Sequence, residues 1–142
     1  MGSSEDKYDH LRPIILIVED HDALRDSLKS WVSFVFQDCN ILVAKSGEDA
    51  LEKVFSEPPD IILMDVLLPG INGIEATRRI KDAVPKAKVV MLSIYEDSAY
   101  QADASMAGSC AYIPKRKMGS ELIPLITELL CGRTSQRLKK PE

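Results

Sequence analysis

The chain has 142 residues, 45% of them hydrophobic and 28% charged, and a formal net charge of -4, which is typical of one globular domain with a buried core. The negative charge argues against a basic nucleic-acid-binding chain, and the three cysteines, an odd number without a C-x-x-C pair, indicate neither a disulfide framework nor a zinc site. No apolar run reaches the roughly 18 residues that span a bilayer, and residues 1–12 lack the apolar centre of a signal peptide, so we expect a cytoplasmic protein that does not bind a membrane.

Short apolar runs alternate with amphipathic segments along the chain. The runs are typical of strands that are buried in a parallel sheet. The predicted strands are residues 13–18, 40–44, 61–65, 88–93 and 110–113. The predicted helices are residues 24–36, 46–57, 72–83, 98–107 and 120–130. Pro124 is expected within or just after the first turn of the last helix, where a missing N–H costs least.

Two helices carry clear start signals. Ser46 and Asp49 have the spacing of an N-cap residue and an acid three positions later, and Asn72 and Glu75 repeat it. Five strands that alternate with helices predict parallel pairing through right-handed crossovers. The fold class is therefore α/β, with helices on both faces of a five-stranded sheet.

Polar residues stand at the carboxyl ends of four predicted strands, where open α/β sheets bind ligands. Glu19 and Asp20 follow the first strand, Asp65 ends the third, Ser93 ends the fourth and Lys115 comes just after the fifth. Converging carboxylates repel one another by about 4 kcal/mol per pair at ~4 Å. A hard cation such as Mg²⁺ relieves this repulsion, and a cation, a lysine and a hydroxyl together suit phosphoryl transfer to Asp65.

Each of these residues also has an ordinary structural interpretation. Asp65 alone is more often a turn residue at a strand end, and Lys115 alone is usually a solvated charge. Glu19 and Asp20 also suit the start of a helix, where the helix dipole favours acids. Their joint occurrence at several strand ends favours the functional interpretation.

Four segments resemble the successive motifs of a two-component response-regulator receiver domain, over about residues 14–130. They are "ILIVEDH", "DIILMDVLLPGINGIEATRRI", "VVMLSIYED" and "GSCAYIPK", and within the third "LSIYED" resembles the NarL/LuxR-type subfamily. The resemblance implies a flavodoxin-like, doubly wound sheet with strand order 2-1-3-4-5 and five helices. Together with the net positive charge of residues 132–142, it predicts a disordered leader (1–12), a receiver domain (13–131) and a basic tail or linker stump (132–142).

The resemblance assigns a role to each residue of the site. Asp65 is implied to be the phosphoacceptor. The implied Mg²⁺ ligands are Asp20 and Asp65 directly, Glu19 through water, and the backbone carbonyl of Leu67. Lys115 and Ser93 are implied to contact the phosphoryl group, and Tyr112 to be the aromatic switch; by default Tyr112 is a partly buried core aromatic.

The implied partner is a histidine kinase or a phosphotransfer protein, with homodimerisation on phosphorylation left open. Contact with DNA requires an effector domain that this chain does not contain, and no helix-turn-helix pattern follows Leu130. Transcriptional output is favoured by the subfamily. The alternative is a degenerate receiver that acts only as a protein-docking module.

Three positions depart from the family pattern. Glu19 stands where Asp is common, Ile94 follows Ser93 where a small residue is frequent, and Arg116 follows Lys115 where many members have Pro. Leu67 and Tyr95 occupy the positions that flank the water approach to the phosphoryl group in the family. Because neither side chain is suited to orienting a water, the sequence predicts a long-lived phosphorylated state.

Overall fold

The computed structural model describes residues 12–138, which form five strands and five α-helices in alternation. The strands are β1 (Ile14–Val18), β2 (Asn40–Ala44), β3 (Ile61–Asp65), β4 (Lys88–Ser93) and β5 (Ala111–Pro114). The helices are α1 (Asp22–Val35), α2 (Gly47–Ser56), α3 (Gly73–Ala83), α4 (Ser98–Ala107) and α5 (Met118–Leu138), with a 3₁₀ turn at Lys115–Lys117.

All strand pairs are parallel, and the strand order is β2-β1-β3-β4-β5. This confirms the predicted doubly wound, flavodoxin-like α/β sheet. Strand β3 is fully buried along its length because it lies at the centre of the sheet and is covered on both faces. Asp65 therefore ends the most enclosed strand of the sheet.

The sheet separates two hydrophobic clusters. One joins alternate strand residues to α2, α3 and α4, with Val54, Ile80 and Ala104 among its buried members. The other joins the opposite strand face to α1 and α5 through residues such as Val32 and Ile126. Helices α1 and α5 thus cover one face and the remaining three cover the other.

Helix starts follow the predicted capping signals. The Ser46 side chain accepts a hydrogen bond from the Asp49 N–H at 3.0 Å, and the Asn72 side chain accepts one from the Glu75 N–H at 2.9 Å. Gly108 ends α4 with a φ of 111°, a left-handed conformation that glycine adopts without steric cost.

Several predicted boundaries were wrong by small amounts. Strand β5 covers Ala111–Pro114 rather than residues 110–113, because Pro114 still pairs with Ser93. Helix α5 begins at Met118, not Ser120, because the 3₁₀ turn at Lys115–Lys117 continues directly into it. Pro124 is consequently the seventh residue of the helix, beyond its first turn, where its missing N–H removes an internal hydrogen bond.

The predicted termini are only partly described. The leader (1–12) lies outside the described residues except for Arg12, and residues 139–142 of the predicted tail lie outside them as well. Helix α5 continues past its predicted end at Leu130 to Leu138. Within residues 12–138, no helix combines the length and hydropathy needed to cross a lipid bilayer.

Candidate functional site

The strand-end residues named from the sequence meet at the carboxyl edge of the sheet. Glu19 and Asp20 follow β1, Asp65 and Ser93 end β3 and β4, and Lys115 follows β5. Glu19, Asp65 and Ser93 are almost completely buried, with exposed fractions of 2%, 6% and 1%. Asp20 is exposed, so the cluster opens to solvent on its side.

Lys115 joins two buried carboxylates. Its Nζ donates to Oε1 of Glu19 at 3.0 Å and to Oδ2 of Asp65 at 3.1 Å. Buried charges require such partners, because an isolated ion in a protein interior loses its hydration without compensation. The Lys115 ammonium therefore neutralises only one of the two carboxylate charges, and the cluster of Glu19, Asp65 and Lys115 keeps a net negative charge.

The electrostatics of Asp65 reflect that excess. Burial and repulsion by Glu19 raise the pKa of Asp65 to about 6, against the opposing effects of Lys115 and of the Leu67 N–H, which donates to Asp65 at 3.2 Å. Burial lowers the pKa of Lys115, but the two carboxylates outweigh it and the net direction is upward. Asp65 is thus largely ionised at neutral pH, and Lys115 is charged.

Three carboxylates lie close enough to share one cation. One oxygen from each of Glu19, Asp20 and Asp65 lies within 4.8 Å of the others. Oxygen donors with surplus negative charge and access to water are what a hard divalent cation such as Mg²⁺ requires. The residues present therefore fit a Mg²⁺ ion.

The turn after Asp65 is held by a close approach of backbone. A Cβ on Gly73 would lie 2.0 Å from the carbonyl oxygen of Asp65, so only glycine fits at the start of α3. The Gly73 N–H donates to the Val66 carbonyl at 2.8 Å, and the carboxylate of Glu48 accepts from the Ile71 N–H at 3.1 Å. These contacts fold the segment that carries Leu67 back over the end of β3.

Glu19 is held by two residues that the sequence interpretation did not assign to the site. The backbone N–H of His21 donates to Oε2 of Glu19 at 3.1 Å, and Nη1 of Arg25 donates to the Glu19 carbonyl at 3.1 Å. Arg25 also pairs with Asp22 at 2.6 Å. The three-residue spacing of Asp22 and Arg25 was a signal for their ion pair, since residues three apart share a helix face, but no sequence signal marked the contact of Arg25 with Glu19.

Ser93 and Tyr112 are linked through the segment between β4 and α4. The Ser93 Oγ accepts from the Tyr95 N–H at 2.9 Å, and the Tyr112 hydroxyl donates to the Tyr95 carbonyl at 2.8 Å. The Tyr95 ring stacks on Tyr100 with centroids 5.3 Å apart. The Tyr112 ring, predicted as a switch, packs against the cluster on the α2–α4 face and is partly buried.

Comparison with known proteins identifies the family. The model of the response regulator receiver domain matches residues 15–127. The chain belongs to this family. The chain is 33% identical over 118 residues to the transcriptional regulatory protein LnrK of Bacillus subtilis. This alignment covers 83% of this chain and 54% of LnrK. The chain thus spans about half the length of this relative.

Solved structures of response regulators have the same fold. A LuxR-family response regulator from Aurantimonas sp. SI85-9A1 has a TM-score of 0.79 and 29% identity, over 85% of this chain and 86% of that one. The response regulator TrrA of Thermotoga maritima, solved in complex with Mg²⁺-BeF, has a TM-score of 0.73 and 31% identity, over 82% of this chain and 98% of that one. The LuxR-family neighbour agrees with the subfamily that the sequence predicted.

Proposed function

We propose that this receiver domain accepts a phosphoryl group on a carboxylate oxygen of Asp65, from a histidine kinase or a phosphotransfer protein, in the presence of Mg²⁺. The convergence of Lys115 and two further carboxylates on Asp65 carries the proposal. A carboxylate that accepts a phosphoryl group needs a fixed positive charge beside it, and the Lys115 ammonium supplies one at 3.1 Å from Asp65. The domain is a signalling switch rather than an enzyme with a separate substrate to turn over.

In the proposed reaction, a phosphorus–oxygen bond to Asp65 replaces a phosphorus–nitrogen bond to the donor histidine. An oxygen of Asp65 forms a bond to phosphorus while the bond from phosphorus to the donor histidine nitrogen breaks, and that nitrogen takes up a proton from solvent. Ionised Asp65 has no proton to lose, so the reaction depends on positioning and on neutralisation of charge. Lys115 pairs with the phosphoryl oxygens, and the Ser93 hydroxyl donates to one of them.

The proposed cation site consists of Asp20 and Asp65 as direct ligands, Glu19 as a ligand through water, and the backbone carbonyl of Leu67. When bound, Mg²⁺ supplies positive charge to phosphoryl oxygens that would otherwise face three carboxylates. The Mg²⁺-BeF complex of TrrA, 31% identical to this chain, supports this assignment by analogy.

The proposed output is transcriptional, because LnrK is a transcriptional regulatory protein. In this proposal, DNA contact occurs through an effector domain outside this chain, and phosphorylation promotes a homodimer. Because we propose a histidine kinase as the phosphoryl donor, we also propose that the reaction occurs in the cytoplasm.

A labelling experiment tests the proposed function. The wild-type domain incubated with acetyl phosphate and Mg²⁺ should gain one phosphoryl group by intact mass, and the Asp65→Asn variant should gain none. Asp20→Asn should still be labelled, but at a higher Mg²⁺ concentration, because one ligand is weakened.

Two outcomes would contradict the proposal. Full labelling of the Asp65→Asn variant at another residue would remove Asp65 from its role. A folded wild-type domain that takes no label from acetyl phosphate or from a phosphorylated donor protein would indicate a docking module instead.

A further inference from the structure

An exposed ion pair joins the two segments that present Ser93 and Lys115. The guanidinium of Arg116 donates from Nε to Oε2 of Glu96 and from Nη2 to Oε1 of Glu96, each at 2.7 Å. Glu96 lies in the segment between β4 and α4, three residues after Ser93, and Arg116 is next to Lys115 in the 3₁₀ turn. Paired parallel bonds of this kind fix orientation as well as distance.

The same two segments are joined at a second point. The Tyr112 hydroxyl donates to the Tyr95 carbonyl, and the Tyr95 N–H in turn donates to the Ser93 hydroxyl oxygen. The segment after Ser93 is therefore attached to β5 by Tyr95 and to the 3₁₀ turn by Glu96. A segment held at two neighbouring residues cannot rotate about either contact alone.

We propose that Glu96 and Arg116 act as a positioning pair, a clamp that sets the distance between the Ser93 hydroxyl and the Lys115 ammonium. The inference rests on the proposed phosphorylation of Asp65 and adds two residues that do not touch the phosphoryl group. Both phosphate-binding groups must reach the same small anion, so an error in their separation slows the transfer.

Stabilisation of the fold is not the main effect of this pair. The side chains of Arg116 and Glu96 are 62% and 43% exposed, and water screens ion pairs at such positions. The hydrogen bonds from Arg116 hold the pKa of Glu96 below its ordinary value, so the pair is ionised at neutral pH. The Glu96–Arg116 pair therefore adds little to the stability of the fold, but its two hydrogen bonds fix the geometry between the two segments, as a positioning role requires.

Charge reversal separates positioning from simple electrostatics. Glu96→Arg adds positive charge near the site and Arg116→Glu adds negative charge, so a purely electrostatic effect on the incoming phosphate would move the two labelling rates in opposite directions. Loss of the clamp lowers both rates. The double variant Glu96→Arg/Arg116→Glu restores the pair with its polarity reversed.

The experiment measures the rate constant for labelling by acetyl phosphate in saturating Mg²⁺. Each single variant should be about three- to fivefold slower than wild type. The labelling rate of the double variant should return to within about twofold of the wild-type rate. Recovery is incomplete because the new arginine at position 96 lies near Lys117 and the new glutamate at position 116 lies near Glu121, so each meets a like charge. Amide signals of Ser93 and Lys115 in the Mg²⁺-free protein should shift in both single variants and move back in the double variant, while the urea midpoint changes little.

A matched control breaks a comparable pair elsewhere. Lys53→Glu removes the ion-pair partner of Asp49 on α2, a 3.3 Å contact with side chains 39% and 26% exposed, and should leave the labelling rate unchanged. The clamp is refuted if wild type is labelled but the two single variants match it, or if their rates move in opposite directions. Absence of wild-type labelling by acetyl phosphate and by a phosphorylated donor protein refutes the proposed function and the clamp together.

Discussion

The ammonium nitrogen of Lys115 lies 3.1 Å from Oδ2 of Asp65, in an ion pair whose two side chains are only 18% and 8% exposed. The same nitrogen lies 3.0 Å from Glu19, which is buried more deeply still. A single positive charge between two buried negative charges leaves the site unbalanced until a second cation arrives. Asp65, one of the two carboxylates that share this ammonium, is the residue that we propose to be phosphorylated.

This imbalance predicts that Asp65→Asn stabilises the Mg²⁺-free domain. The pKa of Asp65 is raised to about 6 in the folded state, above its value near 4 in the unfolded chain, so the unfolded state binds fewer protons between these values. Stability is then lost as the pH rises from about 4 to 6. Removing the charge should raise the free energy of unfolding at pH 7 by about 1–2 kcal/mol.

Urea unfolding in EDTA at pH 7 and at pH 4 checks this prediction. The advantage of the variant should vanish at pH 4, where wild-type Asp65 is protonated, and should shrink when Mg²⁺ is added, since a ligand of the folded state stabilises the wild type. An equal advantage at both pH values would mean that charge is not the cause.

Gly73→Ala should destabilise the domain and distort the site. A Cβ at this position would meet the Asp65 carbonyl oxygen at 2.0 Å, which forces backbone movement at the end of β3. We expect a loss of about 3 kcal/mol in the free energy of unfolding, the upper part of the range for overpacking. Gly119→Ala, on α5, is the control. An added Cβ there meets nothing within 4 Å, and alanine favours a helix over glycine, so the free energy of unfolding should stay the same or rise slightly.

The switch prediction concerns a surface formed by α4, β5 and α5. Tyr112 and Ser93 both bond to Tyr95, so movement of the Ser93 hydroxyl towards a phosphoryl oxygen pulls on the segment that also holds Tyr112. A beryllofluoride complex in Mg²⁺ should shift amide signals throughout residues 98–130. Tyr112→Phe removes one bond and should reduce the shifts in that range; changes restricted to the neighbours of Asp65 would contradict the coupling.

The lifetime prediction concerns water. Leu67 has no group that can orient a water, and the Tyr95 ring is 37% exposed beside α4. Leu67→Asn combined with Tyr95→Ala should accelerate loss of the phosphoryl group by roughly fivefold, about 1 kcal/mol of barrier. Leu67→Ala should do less, because it removes bulk without adding a polar group.

Loss of radiolabel in excess Mg²⁺ measures these rates. Because Tyr95 stacks on Tyr100, Tyr100→Ala removes the stack and leaves Tyr95 in place, which separates an effect of the stack from an effect of the Tyr95 ring. A rate for the double variant at or below that of wild type would mean that these residues do not control the water.

The parts of the fold that depend on local pattern were predictable from the sequence. The apolar run from Ile61 to Asp65 became the central strand, and the caps at Ser46 and Asn72 start α2 and α3 as expected. The start of α5 was missed because Lys115–Lys117 carries no capping residue, so nothing local marks the 3₁₀ turn that leads into the helix.

The site was predictable to the extent that it depends on strand ends. Parallel strands bring their carboxyl ends to one edge, and this alone places Glu19, Asp65 and Lys115 together. The pairing of Glu96 with Arg116 was not predictable, because the two residues are 20 positions apart and belong to different segments. Contacts of that kind depend on loop geometry, which carries no periodic signal.

The strand order also has a consequence for how tightly each part of the site is held. Strand β3, which ends in Asp65, pairs on both sides with β1 and β4, whereas β5, which carries Tyr112 and leads to Lys115, pairs with β4 alone within the described residues. Amide hydrogens of β3 should therefore exchange with solvent only when the whole domain opens, and those of β5 through smaller, more frequent openings. Asp65 therefore ends a strand that is held on both sides, whereas Tyr112 and Lys115 belong to an edge strand and its following turn, where an opening breaks the pairing with one neighbour only.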